Sequence, residues 1–131
     1  MQLYSCSTKG KLDELKEILE GTPENEPLSV TEEVSKAGYY WTVIHYASHY
    51  GHYEVLQYII EFLDDHPNKF EIFNMQTTEG KSPLFCAILS SDINFKQKQQ
   101  IIKLWFDTNM VDLKLRKQSG EDLLQIAKKN K

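Results

Sequence analysis

Cysteine is scarce in this chain: Cys6 and Cys86 stand alone, which excludes a CxxC unit and the dense framework of a small secreted fold. Two reduced thiols packed as small hydrophobes are expected instead. Long apolar runs are missing as well. No stretch approaches the roughly 18 apolar residues that span a bilayer, and Met1 leads into a polar, mixed segment without the apolar core of a secretory signal. These absences predict no membrane insertion and a location in the cytoplasm or nucleus. Basic residues are outnumbered, 15 Lys and Arg against 19 Asp and Glu, and no basic face is segregated from the rest. A formal charge of −4 repels a phosphate backbone, which argues against nucleic acid as a partner. Lys128, Lys129 and Lys131 read as a solvated helix end with cations set against the helix dipole.

Motifs that carry catalysis are also lacking. His45 and His49 are four apart, with His52 just beyond, so one helical face could present two metal ligands. No Glu follows His45 and no further ligands accompany it, so neither a zinc-protease motif nor any metal site is expected. Cys86 with His45 or His49 could be imagined as nucleophile and base. Its apolar surroundings, Pro83-Leu-Phe-Cys-Ala-Ile-Leu89, instead predict a buried, inert thiol. Gly80 and Gly120 are lone glycines rather than a phosphate loop, and Asp64-Asp65 beside Pro67 read as a solvated turn. No catalytic residue and no cofactor is expected, and the chain is read as a non-enzyme.

What the sequence does contain is a repeat. At 131 residues and 40% hydrophobic it is long enough for one compact domain spanning 1–131. Gly80-Lys-Ser-Pro-Leu-Phe-Cys-Ala87 aligns with Gly120-Glu-Asp-Leu-Leu-Gln-Ile-Ala127, 40 residues on, and with Tyr40-Trp-Thr-Val-Ile-His-Tyr-Ala47, 40 residues earlier. One further step back puts Cys6 on the alanine position and Gly10 on Gly51. Four copies emerge, at about 1–21, 38–73, 78–113 and 118–131, the first lacking its leading turn and the last stopping within its first helix.

Each copy has a physical logic. Thr42, Ser82 and Asp122 can cap a helix N-terminus. Ala47, Ala87 and Ala127 are small where a neighbouring backbone comes close. A turn at Gly10 or Gly51 precedes a second apolar segment at helical spacing: Leu12, Leu15, Ile18 and Leu19, then Val55, Leu56, Ile59, Ile60 and Leu63. In the third copy Ile101, Ile102, Leu104, Trp105 and Phe106 form a stripe wide enough for burial on more than one side. Gly21 and Asn109 suit left-handed helix ends. Every unit reads as helix, turn, helix, loop.

Thr42-Val-Ile-His-Tyr-Ala47 and Ser82-Pro-Leu-Phe-Cys-Ala87 resemble the T-P-L-H-x-A signature of the ankyrin repeat, and Gly51 falls at its expected place. The resemblance implies an all-α solenoid of stacked helix-turn-helix units with short hairpins or loops. The spacing of 40 exceeds the usual period of about 33, which places extra residues in the connections at 21–37, 64–73 and 90–97. The first of these reads as an acidic loop leading into a short capped helix at Ser29-Val-Thr-Glu32. Tyr40 stands where the usual tight turn has glycine, and Val43 where it has proline, so a remodelled turn is expected there. His45 occupies the signature histidine, whose ring usually satisfies loop backbone groups.

In the family, partners bind the loop before each short helix and that helix's outward side. Carried over, the resemblance points to Tyr39, Trp41, His49 and Tyr50 in the second copy, Glu79, Lys81, Leu89 and Ser90 in the third, and Thr8 and Lys9 in the first. The aromatic group of the second copy also stands out by composition, since aromatic residues dominate interface energetics. Its rival fate is burial beneath the 21–37 insertion, which carries Leu28, Val30 and Val34. Tyr46, beside Ala47, reads as core. The function implied is a non-catalytic interaction module, a monomer that binds a protein partner. Alternatives are a regulatory inhibitor of an enzyme, or a targeting domain excised from a longer one.

Overall fold

The computed structural model describes residues 2–24, 26–34, 39–112 and 114–115. Three helix pairs follow one another along the chain: α1 (Gln2–Lys9) with α2 (Leu12–Glu20), α3 (Val43–His49) with α4 (Tyr53–Phe62), and α6 (Pro83–Leu89) with α7 (Phe95–Asp107). Between the second and third pairs lies the short helix α5 (Lys69–Phe73). No strand occurs among the described residues, so the all-helical expectation holds. The fourth copy, with Asp122 and Ala127, lies outside the described residues.

The caps are where side-chain chemistry places them. The Thr42 hydroxyl accepts from the Ile44 N–H at 3.2 Å, and Ser82 accepts from the Phe85 N–H at 3.4 Å, so each short helix starts on a satisfied donor. Pro83 fills the first turn of α6, where a missing N–H costs nothing. Gly10 and Gly51 turn the chain at φ 69° and 71°, and Asn109 follows α7 at φ 58°. A Cβ on Gly51 would lie 2.9 Å from the Ile93 Cγ2. Gly51→Ala is therefore expected to destabilise the protein by about 1–2 kcal/mol, read as a lower urea midpoint at unchanged slope.

Stacking of the short helices builds the core. α3 packs against both α1 and α6, while α4 contacts α2 on one side and α7 on the other. One continuous set of buried residues runs through the stack, including Cys6, Leu15, Ile44, Ala47, Leu56, Ile59, Phe85, Ala87, Ile101 and Trp105. Ala47 and Ala87 are wholly buried, as close approach of adjacent helices demands. Cys6 and Cys86 are buried free thiols. Burial pushes both thiols up in pKa, Cys86 strongly.

The connections depart from the sequence reading in three ways. Ser29-Val-Thr-Glu32 makes a single turn, not a helix: the Ser29 hydroxyl accepts from the Thr31 N–H at 3.1 Å, and its carbonyl from the Glu32 N–H at 3.1 Å. Two β-branched residues in so short a segment do not sustain helix nucleation. The loop's backbone also bonds outward, Leu28 N–H to the Ile18 carbonyl and Val34 N–H to the Trp41 carbonyl. Residues 64–73 are not all loop, because Ile72 and Phe73 are buried from α5. Helix α7 begins at Phe95, capped by Asn94, and buries one face through Ile101 and Trp105 while leaving Phe106 exposed.

Candidate functional site

His45 shows how the loops are tied to the helices. Its Nε2–H donates to the Met75 carbonyl at 2.7 Å, and its Nδ1 accepts from the Thr42 N–H at 3.1 Å. A backbone N–H can only donate and a carbonyl only accept, so the neighbours fix the neutral tautomer. Burial pulls its pKa down to about 4. The signature histidine thus satisfies loop backbone as expected. The other two rings are likewise engaged: His49 Nε2 meets Asp92 Oδ2 at 2.6 Å, and His52 Nε2 meets the Thr8 carbonyl at 2.7 Å. Each of these three histidines bridges to a different part of the chain, and among the described residues no three His, Cys, Asp or Glu side chains cluster as a metal site would need.

Tyr40 occupies the turn position as if it were glycine, at φ 57°. That conformation costs a tyrosine roughly 1 kcal/mol, offset by two contacts: its N–H donates to Glu33 Oε2 at 3.2 Å, and its hydroxyl to the Thr31 carbonyl at 3.3 Å. Tyr40 therefore holds the 26–34 loop, and the remodelled turn is also its anchor. The loop sinks Val30 and Val34 into the core. Trp41, His49 and Tyr50 remain half-buried rather than covered.

These rings touch in series. Trp41 lies 5.0 Å from Tyr46 and edge-on to His49 at 5.5 Å; Tyr46 stacks over Tyr50 at 6.4 Å, and Tyr50 meets His49 edge-on at 4.7 Å and His52 at 6.4 Å. Lys81 Nζ sits 5.9 Å from the Trp41 ring centre and 3.5 Å from Glu79, so a cation from the next unit continues the row. Such aromatic pairs are worth about 0.5–1.5 kcal/mol beyond burial, which keeps the ladder ordered before anything binds. The turn residues join across units too, since the Tyr39 carbonyl accepts from the Thr78 N–H at 3.0 Å.

The structure gathers Trp41, His49, Tyr50, Lys81 and Glu79 into one patch. Tyr39 is exposed beside it, at the edge where the two turns meet. Thr8 reaches the ladder through its carbonyl bond to His52, and Lys9 is exposed at the end of α1. Leu89 is half-buried against the core. Ser90 is 3% exposed, and its hydroxyl donates to the His49 carbonyl at 2.6 Å while accepting from the Asp92 N–H. Its geometry is that of a brace beneath the patch, because the turn after α6 points that hydroxyl inward.

Two contributors escaped the sequence. Tyr46 packs against the core, as read, yet also forms the middle rung of the ladder. Asp92 lies 43 residues from His49 in a connection whose conformation no motif signals.

Stacked helix pairs with a row of side chains along the short helices define a repeat solenoid that presents a surface rather than a pocket. The chain belongs to the ankyrin-repeat family: the family model described as Ankyrin repeats (3 copies) matches residues 3–96. Its fold is similar to a chain in the crystal structure of the yeast ribosomal protein Rps3 in complex with its chaperone Yar1, at a TM-score of 0.75 and 22% identity, covering 98% of this chain and 81% of that one. No curated protein sequence matches it significantly. No described helix is long and apolar enough to cross a membrane.

Proposed function

We propose that the protein is a non-catalytic interaction module which binds a partner protein through the aromatic ladder and the turns flanking it. The observation that carries this reading is the contiguous row Trp41, Tyr46, Tyr50 and His52, half-buried and continued by Lys81 on the next unit. Rings already held by their neighbours lose little conformational freedom on binding, so a partner gains their contact area at low entropic cost. The similar solved fold comes from a complex between two proteins, which fits a binding role. Tyr39, Glu79, Lys9, Thr8 and Leu89 border the row as the adaptable rim of the same surface, and Ser90 supports it from beneath.

The test is affinity capture from the source cells with the native chain and a Trp41→Ala, Tyr50→Ala variant whose helicity is checked by circular dichroism. Loss of two central aromatics is expected to weaken binding by at least about 2 kcal/mol, roughly 30-fold. Partners retained equally by the folded variant would remove the ladder from the binding site.

A further inference from the structure

A second surface lies where the 26–34 loop meets α2, α4 and α5. Residues 27–31 of the insertion and the α4–α5 corner border an open cleft of about 480 Å³, lined by Leu19, Leu28, Val30, Phe62, Leu63 and Ile72 among others. Leu19, Val30, Leu63 and Ile72 form its buried floor, whereas Leu28 and Phe62 stand on its walls at 45% and 42% exposure. Together they give this cleft an apolar mouth of the kind that can receive an apolar side chain.

The rim is predominantly acidic. Glu20, Glu24 and Glu26 border the adjoining hollow of about 390 Å³, which shares Pro27 with the cleft. Glu61, Asp64, Asp65 and Glu71 are exposed and adjacent in sequence to the lining residues Phe62, Leu63, His66 and Ile72 of the corner. Within residues 20–34 and 61–72, Lys69 is the sole Lys or Arg, and its Nζ already donates to the Asp64 carbonyl at 2.9 Å. Clustered carboxylates around low-dielectric walls focus a negative potential that favours a cationic visitor.

From the apolar walls and this charge pattern together we infer that the cleft between the insertion and the α4–α5 corner docks a lysine- or arginine-rich segment of a partner protein, an apolar side chain entering between Leu28 and Phe62 while its cations meet the acidic rim. An anion is repelled by such a rim, and an uncharged peptide would leave it uncompensated. The cleft shares no lining residue with the aromatic ladder, so it stands or falls independently of that reading.

The experiment is fluorescence-anisotropy titration of the whole chain with a labelled twelve-residue peptide in which lysines flank a Leu-Leu pair, alongside the same peptide with glutamate in place of lysine. Saturable binding of the lysine peptide alone is expected, weakening as salt is raised. Phe62→Ser and Leu28→Ser, at exposed positions that the fold does not require, should each weaken it about tenfold or more. Glu24→Lys with Glu26→Lys should do the same without touching the walls, whereas Trp41→Ala with Tyr50→Ala should leave it unchanged. Equal binding of both peptides, or binding unaffected by the Phe62 and Glu24/Glu26 variants, would overturn the assignment. So would self-association of the chain that disappears in Phe62→Ser, since the occupant would then be a second copy.

Discussion

Trp105→Ala is expected to cost about 3–5 kcal/mol of folding stability, the largest effect of any single substitution considered. Trp105 is 2% exposed, packs edge-on to Phe73 at 5.5 Å, and donates its indole N–H to the Ser48 hydroxyl at 3.0 Å. One side chain thereby joins α7 to α3 and α5. Removing it leaves a large cavity at the junction of three elements and a buried hydroxyl without its donor. Against a total stability of about 5–15 kcal/mol for a domain of this kind, the loss brings thermal unfolding down by roughly 10–15 °C. Differential scanning calorimetry measures it. Trp105→Phe should cost less, since most of the volume stays and chiefly the hydrogen bond goes. Combining that variant with Ser48→Ala should give less than the sum of the two, because both act on one bond. Full additivity would show that the indole contributes packing alone.

The second large effect comes from His45. Because burial lowers its pKa to about 4 from the ordinary 6.5, protonation favours the unfolded chain. Its contribution is present in full above pH about 6.5 and falls away as the pH drops towards 4. The difference corresponds to about 3 kcal/mol once the pH is below the folded value. In His45→Gln the slope of stability between pH 6.5 and 4 should flatten, while at neutral pH the variant is less stable because Met75 and Thr42 lose a well-placed ring partner. His45→Ala removes both bonds and the ring's volume, and is expected to cost about 3 kcal/mol at pH 7. Urea titrations at several pH values separate the two. An unchanged slope in His45→Gln would assign the acid sensitivity to carboxylates instead.

His45 and Trp105 differ in how far a reader of the sequence could have foreseen them. The role of His45 was legible through the resemblance of Thr42-Val-Ile-His-Tyr-Ala47 to the ankyrin signature, which implies a ring that satisfies loop backbone groups, and the structure adds its contact with the Thr42 cap. The identity of its distant acceptor, Met75, also needed the fold. Trp105 sits in an apolar stripe that the sequence reads as broadly buried, yet the structure keeps Phe106 in water and turns Trp105 inward to Ser48, 57 residues away. Periodicity states which residues share a face, and the neighbouring helix decides how much of that face is covered.

The same division runs through the candidate surfaces. Trp41, His49 and Tyr50 are neighbours in sequence on one short helix and its entry, so their convergence could be read from spacing. Lys81 arrives through stacking at the repeat interval. Ser90 looks from its register like a rim residue, but a turn rotates its hydroxyl under His49. The cleft between Leu28 and Phe62 had no local signal, because its two walls come from an insertion and from a corner, joined by the route of the chain between them.

The sequence alone determined the repeat, its helix starts at Thr42 and Ser82, its turns at Gly10 and Gly51, and the small residues at which the helices stack, because each is enforced by interactions within a few residues. The tertiary structure decided where residues 26–34 lie, that α5 exists and buries Ile72 and Phe73, which aromatic rings remain in water, and which distant partners His45, His49 and His52 hold. Those outcomes depend on packing between units whose connections follow no repeat, so the energy that selects them appears only when the stack is closed.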